Sequence, residues 1–328
     1  MEGIFYKHRL AAMGALTLLV FSIFMPAQAK PFKILTLDWT SQIVLSHIIG
    51  KLLEKQGYQV EYLSQDTDSQ WFLLSSEYAN LQVEVWEGSM VKQFQSLVNR
   101  NLILDAGNHD ALTREEWWFP AYVKKLCPGL PDWQALNDCA VLFSEDENKR
   151  GTYYTGPWEK PDRARIRALQ LNYQVKTLKD SDAIRAKMED AIALEKPILI
   201  FNWTPNWVEA VYPGEFIEFP DYEAQCETDP RWGINSELTW DCGNPRNGWL
   251  KKAVSKNVPH DWPCAFVIIK SARMNNHHIA QAAALVEVQG LDYAEAADKW
   301  ITDHKPVWQS WLNMAGCRAA DDNEPSGS

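Results

Sequence analysis

The sequence predicts an α/β fold in two lobes, with mostly parallel sheets flanked by helices and a ligand cleft between the lobes. Three observations carry this. Short β-rich runs alternate with runs whose apolar residues recur at helical spacing, the βαβα rhythm of a sheet covered on both faces. The 328 residues, less an N-terminal leader, suffice for two lobes of ordinary domain size. Of the sixteen tryptophans, Trp39, Trp86, Trp118 and Trp203 stand at or near the ends of apolar strand-like runs, where open α/β sheets bind ligands.

Residues 1–29 read as an export signal. Lys7 and Arg9 precede an apolar run from Leu10 to Met25, and Ala27-Gln28-Ala29 offers small residues for cleavage before Lys30. The run is shorter than the roughly 18–20 apolar residues that a span needs, and no later stretch is apolar enough. The chain is expected to be exported and not membrane-spanning once the signal is removed.

FKILTLDW then reads as a first strand, and SQIVLSHIIGKLLEKQG as a helix stopped by Gly57. YQVEYL is a second strand, a helix surrounds Trp71 to Ala79, and LQVEVWEG is a third strand. After Asn108, TREEWWFPAYV opens the second lobe, which continues through CAVLF, the helical RARIRALQL, the strand YQVKTL and the helical SDAIRAKMEDAIALEK. The strand PILIFNW ends on Trp203, and the lobe closes near EFIEFP. Residues 221–262, rich in Pro, Gly, Asn and Asp, are expected to form a long ordered loop, CAFVIIK one more strand, and HIAQAAALVEVQG and LDYAEAADKWITDHKPVWQSWL closing helices. Lobe 1 thus comprises residues 30–110 and 221–316, lobe 2 residues 111–220, and a polar tail residues 317–328.

In an oxidising compartment the six cysteines are disulfide candidates. The short loops between them favour Cys127 with Cys139 and Cys226 with Cys242, while Cys264 and Cys317 stay open as a third bridge or two thiols. The net charge of −11 becomes −12 without the +1 of Glu2, Lys7 and Arg9. An acidic chain without basic clusters argues against nucleic acid as a partner.

A tryptophan ring presents a negative face, so several rings around one cleft suit a cation that cannot donate hydrogen bonds, such as a methylated ammonium. Here a resemblance becomes specific. Trp203-Thr204-Pro205-Asn206-Trp207 after its strand, Trp39-Thr40, Val85-Trp86 and the closing Trp300, Trp308 and Trp311 resemble the substrate-binding proteins of ABC transporters for glycine betaine and related quaternary amines. The resemblance implies a periplasmic-binding-protein fold, a periplasmic location, and ABC permease and ATPase partners. It also implies a small methylated-amine ligand enclosed by Trp39, Trp86, Trp118, Trp158 and Trp203, with Trp117 the alternative to Trp118 by a one-residue slip. Trp207, Trp300, Trp308 and Trp311 are expected to pack. Met90 stands where some betaine binders carry a His that holds the ligand carboxylate, and Glu159 and Lys160 replace small residues after Trp158. Glu159, and Asp38 beside Trp39, therefore favour choline or trimethylamine N-oxide over glycine betaine.

Two other functional classes compete with this reading. The scattered His47, His109, His260, His277, His278 and His304 fit no nucleophile or metal motif, so an exported enzyme is disfavoured. A secreted carbohydrate binder could also use exposed Trp rings, with a fringe of polar donors. In the 221–244 loop, Glu227, Asp229 and Asp241 are oxygen ligands suited to a structural Ca²⁺, with a merely solvated acidic loop as the alternative. No other cofactor is expected.

Overall fold

The computed structural model describes residues 30–145, 147, 149–158 and 160–315. The expected signal 1–29 with its cleavage site, Glu159, Cys317 and the tail lie outside the described residues. Among the described residues nine strands make one sheet: β1 (Phe32–Thr36), β2 (Val60–Ser64), β3 (Leu81–Trp86), β4 (Ile103–Pro120), β5 (Gly151–Thr155), β6 (Tyr173–Thr177), β7 (Leu199–Thr204), β8 (Gly214–Phe216) and β9 (Gly248–Ser255). Their order is β2-β1-β3-β9-β4-β7-β5-β6, with β8 on β4. Both ends are parallel, β1 with β2 and β3, β5 with β6 and β7. The junction is antiparallel, through β3–β9–β4–β7 and β4–β8.

The 18-residue β4 is that junction. Its first part, from Ile103 to Thr113, pairs with β9, and its last part, from Arg114, with β7 and then β8. The buried apolar residues fall into two cores accordingly. One gathers residues between Phe32 and Ala111 and between Leu250 and Trp311, the other those between Trp117 and Phe219, with Ala283. Trp300 and Trp311 are buried in the first and Trp207 in the second, while Trp308 packs on the first.

Four elements depart from the sequence expectation. The 221–262 segment is not all loop: it contains β9, whose Lys251-Lys252 interrupts the apolar pattern although Lys252 is wholly buried. CAFVIIK is a helix, Pro263–Ser271, with Pro at its start and Ala265, Ile268 and Ile269 buried at spacings of three and one. The β-branched Val267, Ile268 and Ile269 look strand-like, but neighbouring packing overrides propensity. Finally, β4 runs straight through the expected boundary at residue 110, and β5 (GTYYT) had no counterpart in the sequence reading.

The disulfides Cys127–Cys139 and Cys226–Cys242 are formed. Cys264 is also disulfide-bonded. No helix among the described residues is long and apolar enough to cross a membrane.

Candidate functional site

The strand ends place their tryptophans around one cavity. Trp39 follows β1 and caps the helix Thr40–Glu54, Trp86 ends β3 and caps the helix Glu87–Asn99, and Trp203 lies at the end of β7. At Trp86 the strand turns directly into a helix, and at Trp39 it does so after Leu37 and Asp38, with the Trp backbone extended in both cases, which leaves each ring at the carboxyl edge of the sheet. Trp158 arrives from the loop after β5. These four rings line a cavity of about 780 Å³, together with Trp71 and Met90 on the first core's side and Phe201 on the second's. Trp158 and Trp203 meet edge to face at 6.0 Å and 77°, and Phe201 lies 5.6–5.7 Å from both.

The two rings of the first core share an anchor that sequence reading missed. Glu84, fully buried on β3, accepts on one carboxylate oxygen from Trp39 Nε1 at 2.6 Å, Ser41 Oγ at 3.0 Å and Trp86 Nε1 at 3.3 Å. Burial pushes its carboxyl up to about 7, against the three donors that pull it down. Behind it, Gln42 and Gln70 hydrogen-bond Gln82, and Leu37 N donates to Gln42. The available signal was the period of two in LQVEVW: Gln82, Glu84 and Trp86 share one face of a strand whose six residues are all buried. A buried polar face of that kind needs partners.

Asp38 lines the cavity, accepts from Thr67 Oγ1, and is raised above the usual carboxylate range chiefly by burial. The acid of β4 facing the cavity is Glu115, which ion-pairs with Lys160; both side chains are under a tenth exposed, and Glu115 Oε2 has no protein partner among the described residues.

Trp118 does not line the cavity. At its position β4 is paired on both edges, with Ile200 of β7 and Phe216 of β8, and the ring sits so tightly over Gly214 that a Cβ there would fall 1.8 Å from its Cζ2. Trp117 is no substitute: it stacks on Tyr153 at 4.0 Å and donates to Asp162 at 2.7 Å inside the second core. Both rings are buried in the second core, and neither lines the cavity.

The segment 221–247 adds Tyr222, Glu227, Trp240, Asn244 and Pro245 to the cavity wall. It is held to the second core by Arg165, which donates to Cys242 O, Glu116 and Asn244 at 2.8–3.0 Å. The three calcium candidates have separate partners here. Glu227 takes Tyr222 Oη and Lys92, Asp229 takes the Arg231 guanidinium, and Asp241 takes Asn235 N. Among the described residues no three His, Cys, Asp or Glu side chains gather as a metal-holding group.

Residues 30–303 match the model of the substrate-binding domain of ABC-type glycine betaine transport systems. The trimethylamine N-oxide-binding protein of Pelagibacter ubique (strain HTCC1062) is 36% identical over 289 residues, covering 85% of this chain and 90% of the relative. Lactococcal OpuAC, closed on glycine betaine, is similar in fold with a TM-score of 0.65 at 16% identity, covering 86% of this chain and 99% of that one. An ABC-transporter choline-binding protein in complex with choline gives a TM-score of 0.69 at 14% identity, covering 89% and 93%. The chain belongs to the family of substrate-binding domains of ABC-type glycine betaine transport systems, whose members are solute carriers and not enzymes.

Proposed function

We propose that this protein captures a methylated amine, trimethylamine N-oxide before choline or glycine betaine, between Trp39, Trp86, Trp158 and Trp203, and delivers it outside the cytoplasm to an ABC permease driven by its ATPase. The observation that carries the reading is the convergence of four rings, from four separate chain segments and two cores, on one cavity. The ring faces receive the positive methylated nitrogen, and burial of its methyl groups adds about 0.8 kcal/mol per carbon. With roughly 0.5–2 kcal/mol per desolvated ring, a micromolar Kd, about −8 kcal/mol, is within reach.

The polar groups discriminate among the amines. An N-oxide oxygen accepts from the Lys160 ammonium while Glu115 stays paired with it. Choline offers no anionic oxygen to that lysine, and Met90 supplies no second donor of the kind a betaine carboxylate, with its two oxygens, would call for. The name of the Pelagibacter relative favours the same ligand. A cavity of about 780 Å³ is far larger than a four-carbon amine requires, so tight binding calls for the two cores to close on the ligand.

Titration calorimetry of the mature chain with trimethylamine N-oxide, choline, glycine betaine and a neutral hexose tests this. Micromolar binding of the N-oxide, with choline and betaine at least about tenfold weaker, is the expected result. Preference for the sugar, or no heat with any amine, contradicts it.

A further inference from the structure

We propose that the 221–247 segment carries a second, outer site for methylated amines that bear an anionic oxygen, built from Trp240, Tyr222 and Glu227 and filled at rest by the ammonium of Lys92. It rests on the reading that the cavity takes a methylated amine. Lys92 Nζ lies 4.9 Å from the centre of the Trp240 ring and 2.5 Å from Glu227, whose other oxygen accepts from Tyr222 Oη at 3.1 Å. All four residues line the same cavity as the inner rings. An aromatic face beside a carboxylate is the pair of elements that holds an ammonium, and here the protein's own lysine occupies it.

The frame is fixed and the occupant is loose. Glu227 is 12% exposed while Lys92 is 68% exposed, so the ammonium reaches in from solvent. Trp240 is held at φ +70°, its N–H bonded to Cys226 O at 2.9 Å, between the cysteines of the Cys226–Cys242 bridge. A side chain rarely adopts that backbone region unless its surroundings impose it, and Arg165 ties Cys242 to the second core.

Ligand chemistry decides who enters. An N-oxide draws the Lys92 ammonium off the Trp240 face onto its own oxygen and lays its methyl groups there instead, while that ammonium stays paired with Glu227. A bare cation has to expel Lys92 first. The outer site therefore admits zwitterions and turns away simple quaternary ammonium ions.

The test uses the mature chain with both inner walls removed, Trp86→Ala/Trp203→Ala, and follows methyl-proton line broadening of trimethylamine N-oxide and of tetramethylammonium. Residual weak binding of the N-oxide is expected. Adding Trp240→Ala weakens it at least about tenfold, while Trp240→Phe, which keeps a ring, holds it within about threefold. Adding Lys92→Met weakens the N-oxide and strengthens tetramethylammonium, a reversal that lost folding does not produce. No residual N-oxide binding, residual binding indifferent to Trp240→Ala, or Lys92→Met moving both ligands the same way overturns the outer site. Wild-type affinity in Trp86→Ala/Trp203→Ala is a different failure: it overturns the inner-cavity reading, and this one with it.

Discussion

The two sides of the cavity are built differently. On the first core, Trp39 and Trp86 are 5% and 4% exposed, and both indole N–H groups end on one oxygen of Glu84. On the second core, Trp158 and Trp203 are half-buried, touch each other edge to face, and have no protein partner for either N–H among the described residues. One side holds its indole N–H groups in hydrogen bonds of its own; the other leaves them without a protein partner among the described residues, and on the proposed reading its rings are the ones a bound amine reorients. If the proposed capture and release holds, such a division suits it, because a ligand shifts a conformational equilibrium only through contacts that differ between the two states.

Single substitutions on each side break or sharpen this contrast. Trp86→Ala and Trp203→Ala each remove a wall, and a loss of about 100-fold in trimethylamine N-oxide affinity is expected from one ring and the methyl burial it provides. The two should differ in kinetics, with Trp203→Ala acting mainly on dissociation by stopped-flow tryptophan fluorescence. Equal effects on both rate constants from both sites would erase the distinction between a set and an adjustable wall.

Glu84→Gln leaves both rings in place but replaces their shared acceptor, so a smaller loss, about tenfold, is expected. It also carries a pH signature. The folded carboxyl titrates near 7 against an ordinary 4.5, so the folded state holds its proton more tightly than the unfolded chain. The stability this contributes is fully present below the unfolded value of 4.5 and is lost as pH rises through about 7. Thermal unfolding across that window should show Tm falling with pH in the wild type and a flatter profile in Glu84→Gln. A parallel slope in both proteins would remove Glu84 as its source.

The smallest binding effect belongs to Trp118. Trp118→Leu should leave amine affinity within about twofold while costing about 2–4 kcal/mol of stability, as removal of a packed ring does. A large affinity loss in a protein that still folds would return Trp118 to the cavity wall.

The strand-end placement of Trp39, Trp86 and Trp203 was legible in the sequence because it is a local property, readable from the apolar run that precedes each ring. Trp118 misled because it too follows a β-like run, and only pairing shows that β4 is covered by β7 and β8 at that point. Glu84 was hidden inside LQVEVW, where hydrophobicity says core and the polar alternation passes unnoticed. β9 was hidden by Lys252, whose ammonium is buried between the carbonyls of Asn108 and Ala272 at 3.1 and 2.6 Å, a partnership set by residues far away in the chain. Tyr222, Glu227 and Trp240 line the cavity from a segment that a disulfide cross-links and Arg165 ties to the second core. No periodicity records a contact of that range.

A crystal structure of the mature chain grown with trimethylamine N-oxide tests the central claim most directly. The methylated nitrogen is expected between Trp39, Trp86, Trp158 and Trp203, with its oxygen toward Lys160. An amine seated away from those four rings at saturating occupancy would contradict the assignment of this cavity as the ligand site.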